Sequence, residues 1–260
     1  MFSNYRGKTA GLLALVAVLL AGTAAYASHS WGTYHWARTS SPFTLKLGDN
    51  VSTAWDTYLA EASSDWSQSS VLDTTVVAGG TTARRCRPTS GRVESCNYKY
   101  GFNGWLGVAS IWVSGSHIVQ GTVKVNDSYF NTTTYNTPAW RRLVMCQEVG
   151  HEFGLDHQDE DSYNPNLGTC MDYTSNPSGP PSNEHPNAHD YEQLEAIYTH
   201  LDSTTTVSQV FSNNGKGNSN AEDAAEWGRE LRKDSKGRTS LYVRDLGKDE
   251  KVFTFILWAD

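Results

Sequence analysis

The chain has 260 residues, with 28 acidic and 21 basic side chains and a formal net charge of −7 at pH 7. This length is enough for one substantial domain with an accessory segment. The acidic balance argues against a nucleic-acid-binding protein, because affinity for nucleic acid depends on basic contacts with the phosphates.

Residues 1–27 have the features of a secretory signal peptide. Arg6 and Lys8 provide a basic start, an apolar run extends from Ala10 to Ala25, and Ala25-Tyr26-Ala27 fits an A-x-A cleavage site. The apolar run is short and has no basic stop, which makes a membrane anchor the weaker interpretation. We therefore predict a secreted, extracellular protein that leaves the membrane after signal removal, with its formal charge changed from −7 to −9.

Alternating and β-branched stretches predict four strands before the central helix. Between the first two of these strands we predict a helix over Asp49–Trp66, because this segment carries an apolar face at helical spacing. Either Asp49 or Asn50 can cap its start. Arg84–Gly101 is basic and rich in turn-forming residues, so we predict a surface loop. The predicted strands are, in chain order, Thr33–Ala37, Val71–Ala78, Val108–Val113 and Ile118–Val125.

The central helix is predicted to start with Thr137 as its cap and Pro138 in its first turn. The elements after it are, in chain order, a loop over Asn176–Pro186, a helix over Asp190–Leu201, a Ser- and Asn-rich linker, and a hairpin of Leu241–Val243 and Val252–Leu257 around Asp245–Lys251. We therefore predict one main domain over residues 28–203, a linker over 204–220 and a small β-rich region over 221–260.

The central helix is also predicted to carry a metal site. Positions i and i+4 share one helix face, so Gln147 and His151 can aim at a common point, and Glu148 can reach a water held there. Gly154 can take the left-handed conformation that ends a helix, after which His157 can approach the same point. Two ring nitrogens, the Gln147 carbonyl oxygen and a water would complete a four-coordinate site.

The stretch from Gln147 to His157 resembles the metzincins, zinc proteases with the pattern H-E-x-x-H-x-x-G-x-x-H and a later Met-turn. It matches every fixed position except the first, where Gln147 stands in place of histidine. Thr169–Tyr173 resembles the Met-turn through Met171, with Tyr173 placed as in astacins and serralysins. The resemblance implies an α+β fold with a twisted mixed sheet, an active-site helix, a Met-turn and a C-terminal helix, to which the small C-terminal hairpin is added.

In function, the resemblance implies a secreted zinc-dependent endopeptidase that hydrolyses peptide bonds by metal-activated water. Glu148 would be the general base, Tyr173 would help to hold the oxyanion, and the ligands of one zinc ion would be Gln147, His151 and His157. A strand before the helix would line the cleft and pair with an extended protein or peptide substrate. We expect the protein to be a monomer.

All four cysteines lie in the part predicted to be exported, which fits an oxidising compartment. Four cysteines allow three pairings. Of these we favour Cys86–Cys96 as a local clip and Cys146–Cys170 as a bond that ties the metal-binding helix to the Met-turn. The nearby acidic run Asp159, Glu160 and Asp161 has two interpretations, a solvated loop or a calcium site.

Three interpretations of Gln147 stay open. Its amide oxygen can ligate zinc as a neutral and weaker donor than imidazole. Water or another histidine can complete the site instead, the candidates being His35, His117, His185 and His189. In the third interpretation the metal is lost, and the protein is a catalytically silent metzincin-like domain that binds partners.

Overall fold

The structure is a computed structural model that describes residues 29–210 and 226–260. The predicted signal peptide, residues 1–27, lies outside the described residues, as do residues 211–220 of the predicted linker. Within the described ranges, no helix combines the length and the apolar character needed to cross a bilayer.

The described residues form one mixed sheet of nine strands with helices packed against it, which confirms the predicted α+β class. The strands are β1 (His35–Trp36), β2 (Phe43–Asn50), β3 (Leu72–Ala78), β4 (Val93–Tyr98), β5 (Trp105–Ser114), β6 (His117–Asn126), β7 (Arg229–Lys233), β8 (Thr239–Gly247) and β9 (Glu250–Trp258). The helices are α1 (Asp56–Trp66), α2 (Asp127–Phe130), α3 (Pro138–His151) and α4 (Ala188–Ile197).

The strand order is β3-β2-β4-β6-β5-β9-β8-β7, with β1 pairing alongside β6. Pairs from β3 to β6 are parallel, whereas pairs from β6 through β5 and β9 to β7 are antiparallel. β5 and β6 are buried along almost their whole length, as their β-branched and aromatic content predicts. Because α3 packs against both of them, these two strands form the floor under the candidate site.

The first helix is shorter than predicted. α1 begins at Asp56, whereas the sequence predicted a start at Asp49 or Asn50, and these two residues instead end β2. The sequence analysis did not identify β2, although Phe43 and Leu45 are buried and alternate with exposed residues. Pairing with β3 on one side and β4 on the other fixes this segment as a strand, which overrides the cap signal.

The prediction of a surface loop over Arg84–Gly101 is partly wrong, because this segment contains the buried strand β4. β4 lies between β2 and β6. Polar residues concealed it. The Glu94 carboxylate is satisfied inside the sheet, where it accepts a hydrogen bond from Asn50 Nδ2 at 2.7 Å, whereas Ser95 Oγ has no hydrogen-bond partner among the described residues. The predicted Cys86–Cys96 disulfide is present and ties the preceding loop to β4.

The predicted C-terminal hairpin is confirmed as β8 and β9, and it is extended by β7, which the sequence analysis missed. β9 pairs with β5 from Trp105 opposite Trp258 to Ser114 opposite Glu250. Residues 229–258 therefore continue the same sheet that carries the candidate site, and β9 lies directly beside it.

The predicted helix over Asp190–Leu201 is α4, which starts two residues earlier and ends at Ile197. Asn187 caps it, because its side chain accepts hydrogen bonds from the first turn while the Asp190 carboxylate accepts one from the Asn187 N–H. The residues that follow lead to Asp202, whose N–H donates to Arg38 O at 2.8 Å.

Candidate functional site

The central helix forms where the sequence predicts it. The Thr137 side chain accepts a hydrogen bond from Trp140 N, and Pro138 occupies the first turn. Its apolar residues Leu143, Val144 and Val149 are buried, and the helix packs against the sheet and α1. The three site residues of this helix, Gln147, Glu148 and His151, are all fully buried, so the site lies inside the protein in this conformation.

His151 and His157 come together as predicted. Gly154 has φ +99°, which lets the chain reverse after α3, and the two Nε2 atoms lie 2.9 Å apart. His151 Nδ1 is 2.8 Å from Leu155 O, and His157 Nδ1 is 2.6 Å from a Glu160 carboxylate oxygen. Because both oxygens can only accept, the Nδ1 atoms carry the hydrogens and the two Nε2 lone pairs face each other.

Two facing lone pairs need a cation between them, either a proton or a metal ion. Burial, and next the neighbouring His157 ring, lower the pKa of His151 well below its ordinary value, which disfavours an extra proton there. Nitrogen ligands of a tetrahedral zinc lie about 3.3 Å apart, close to the separation seen here. Imidazoles that donate Nδ1–H to a carbonyl and a carboxylate have the orientation of metal ligands, so the pair fits zinc.

Gln147 is held by the segment predicted to form a Met-turn. Its Nε2 donates to Cys170 O at 2.8 Å, and its Oε1 is buried without a hydrogen-bond partner among the described residues. The predicted Cys146–Cys170 disulfide is present next to this bond and fixes α3 to the turn. A buried amide oxygen without a partner is costly unless a cation or a donor satisfies it, which fits the predicted role as a third ligand.

Of the residues predicted to form a Met-turn, Tyr173 contacts this histidine pair. Met171 is fully buried and its carbonyl oxygen accepts a hydrogen bond from Gln158 N at 2.7 Å. The Tyr173 ring contacts the His157 ring with centroids 4.6 Å apart. The Tyr173 hydroxyl, however, donates to Ile256 O of β9 at 2.9 Å, so in this conformation it is committed to the C-terminal strand.

Glu148 sits between α3 and β5. A Cβ on Gly107 would lie 2.3 Å from Glu148 Oε1, so only glycine leaves room for this carboxyl group. No side chain among the described residues hydrogen-bonds this carboxyl group, and a backbone contact with Ala109 is what favours its charged form. Burial raises the pKa of Glu148 well above its ordinary value, so this conformation favours the neutral acid. Glu152, one turn further along the helix, is buried in the same way, and the sequence analysis did not single it out.

The C-terminal strand covers the site. Phe255 of β9 stacks on the His151 ring with centroids 4.1 Å apart and an interplanar angle of 12°. β5, a strand that precedes the central helix, is paired with β6 on one side and with β9 on the other. The edge of β5 that an added strand could otherwise join is therefore occupied by the protein's own chain.

Polar contacts fasten the C-terminal region to the loop that carries His157. Arg232 pairs with Asp156, and its Nε lies 2.9 Å from Glu160 Oε1. Ser240 Oγ donates to the other Glu160 oxygen at 3.0 Å. The sequence analysis missed Arg232 and Phe255 as site residues, because pairing between positions this far apart in the chain leaves no local signal.

The four histidines considered as replacement ligands have other partners. His185 Nδ1 lies 2.7 Å from Asp65 Oδ2, and the His189 ring lies 4.7 Å from the His29 ring. His35 and His117 both face Asp202.

The acidic run considered for calcium is also divided among separate contacts. Asp159 and Asp161 accept backbone N–H groups of Asp161 and Tyr163, whereas Glu160 faces His157 and Arg232.

If His157 holds zinc, substituting Glu160→Gln is expected to weaken zinc binding by about 10–100-fold, the usual cost of losing an outer partner of a metal-binding histidine. The amide oxygen can still accept from His157 Nδ1, so the ring keeps its orientation while the negative charge is lost. Competition with a chelator measures the change. Asp161→Asn serves as the matched control, because Asp161 contacts only the local backbone; equal losses in both variants would contradict the assigned role.

Comparison with models of known protein families and with curated proteins found no match in either case. The function of the chain therefore has to be inferred from the chemistry of its site.

Proposed function

We propose that the protein is a secreted zinc-dependent endopeptidase whose cleft is closed by its own C-terminal strand. The observation that carries this proposal is the buried pair of His151 and His157, whose Nδ1–H groups are already engaged and whose Nε2 atoms face each other at 2.9 Å. His151, His157 and the unpartnered Oε1 of Gln147 would hold the ion. The two disulfides support an oxidising, extracellular location.

Each remaining group has a role in peptide hydrolysis. When bound, zinc supplies Lewis acidity that activates water and polarises a carbonyl at neutral pH. Glu148 follows Gln147 on α3 and would accept a proton from the attacking water, then donate it to the leaving amine. The Tyr173 hydroxyl would donate to the carbonyl oxygen as negative charge develops there. β5 would align the substrate backbone by strand pairing.

These roles require β9 to move away. In the closed conformation Glu148 and His151 are fully buried, and the Tyr173 hydroxyl is bound to Ile256 O. β9 runs antiparallel to β5 in the place of an extended peptide. Because the covering segment is itself a strand, the opened edge would accept a protein or peptide substrate in extended form.

The extent of the pairing between β9 and β5 favours a second function, that of a catalytically silent binding domain. Phe255 and Ile256 are fully buried, and β9 pairs with β5 along its whole length. If this strand never leaves, the site residues are core packing and the protein acts through its outer surface.

Zinc binding by wild type and by a Gln147→His variant separates the two functions. An imidazole is a stronger zinc ligand than an amide, and its Nδ1–H can still donate to the Cys170 carbonyl, so the variant is expected to resist chelators better. His157→Ala provides the reference that lacks the site. Zinc held by wild type through His157 supports the enzyme, whereas a metal-free wild type that gains zinc and cleavage only through Gln147→His supports the silent domain.

A further inference from the structure

Three histidines surround one carboxylate outside the site described above. The Nε2 atoms of His35, His117 and His200 lie 3.4, 3.3 and 3.6 Å from the same oxygen, Oδ1 of Asp202. The ligand atoms of His35, His200 and Asp202 all lie within 4.8 Å of one another. The His35 ring meets the rings of His117 and His200 edge to face, with centroids 5.0 and 4.9 Å apart.

The group is built on fixed backbone. Arg38 N donates to Asp202 Oδ2 at 2.9 Å, and Asp202 N donates to Arg38 O at 2.8 Å, so the carboxylate is held with Oδ1 turned to the histidines. His35 opposes His117 in the pairing of β1 with β6. His35 Nδ1 is 2.9 Å from Thr33 O, and because a carbonyl only accepts, this nitrogen carries the hydrogen.

This arrangement suits a divalent cation. With its Nδ1–H committed to Thr33 O, His35 turns Nε2 toward a carboxylate oxygen 3.4 Å away. A divalent ion satisfies the lone pairs and the carboxylate together. The His200 side chain is 57% exposed and that of His117 is 33% exposed, so an ion can enter from solvent.

We propose that His35, His200 and Asp202 form a second metal site that takes zinc or a similar divalent transition metal, with His117 on the same carboxylate as a further nitrogen ligand. Imidazole nitrogens with one carboxylate oxygen are a ligand set that zinc favours. The His35 Nδ1–H bond to Thr33 O is the outer contact that orients a ligating histidine. The site joins β1, the start of β6 and the segment after α4, so its role is to fasten these parts of the fold together.

Titration of the mature chain with zinc chloride, followed by measurement of bound metal, tests this second site. Wild type is expected to bind one equivalent more than either His200→Ala or Asp202→Asn. His200 is exposed, and the asparagine oxygen can still accept from Arg38 N, so both variants are expected to fold. His185→Ala is the matched control, because His185 is a similarly exposed histidine paired with Asp65. It is expected to keep the wild-type stoichiometry.

Zinc at about 100 times its dissociation constant is also expected to raise the Tm of a His157→Ala chain by about 5–10 °C, and to leave a His157→Ala, His200→Ala chain unchanged. Both chains lack the first site, so this result does not depend on the proposed protease. Equal zinc binding by wild type, His200→Ala and Asp202→Asn would overturn the second site. If His200→Ala and Asp202→Asn each lose one equivalent of zinc and His157→Ala loses none, the second site is supported and the first site is refuted.

Discussion

Cutting the chain between residues 211 and 225 is expected to switch on proteolysis in a protein that is otherwise almost inactive. A recognition sequence for a specific protease, inserted there, separates β7, β8 and β9 covalently from the rest of the chain. A tethered strand occupies its partner at an effective concentration in the millimolar range, whereas a cut fragment at micromolar protein is far more dilute. The ratio of closed to open protein therefore falls by up to about 10³-fold, and cleavage of a generic protein substrate rises accordingly.

Phe255→Ala in the cut chain is expected to increase this effect. Phe255 is fully buried against His151, and truncating a buried phenylalanine costs about 3–5 kcal/mol.

The control for the cutting experiment is a chain with a scrambled recognition sequence, treated with the same protease and expected to stay inactive. Size-exclusion chromatography shows whether the fragment has left, and a cut protein that has lost the fragment, holds zinc and cleaves nothing would refute the idea of a covered active site.

Glu148→Gln in the cut protein is expected to lower turnover by about 10²–10⁴-fold, the usual contribution of a general base, while zinc stays bound. The amide has the same shape as the carboxyl group but cannot accept the proton from water. Turnover and metal content are measured on the same sample, so loss of catalysis is separated from loss of metal.

Glu152→Gln is the matched control for that variant. Glu152 lies one helical turn from Glu148 and is equally buried, but it has no assigned role in catalysis. We expect this variant to keep its turnover within a few-fold. Equal loss in both variants would show that the effect comes from the packing of α3 against the sheet.

Much of the fold could be predicted where the signal is local. Thr137 and Pro138 mark the start of α3, and the β-branched content of β5 and β6 marks the two strands beneath it. β2, β4 and β7 were missed because pairing with distant strands, rather than their own composition, decides their structure. The helix start at Asp49 was wrong for the same reason, since β3 and β4 hold that residue at a strand end.

In the candidate site, too, the features with a local sequence signal could be predicted and those formed by distant segments could not. The spacing of His151 and His157 around Gly154 was sufficient to predict that the rings meet, and the cysteine next to each segment predicted the disulfide between them. The position of β9 over the site was not predicted, because nothing near Phe255 in the sequence indicates a contact with His151. A short apolar run predicts a strand but does not say which edge of a sheet it will join.

The zinc content of the purified mature chain before and after His157→Ala tests most directly whether His151 and His157 share one ion. Both proteins carry His200→Ala, so that the second site does not contribute. We expect about one zinc per chain with His157 present and none after its substitution. The same zinc content in both proteins, or no zinc in either, would contradict the proposal that His151 and His157 share one ion.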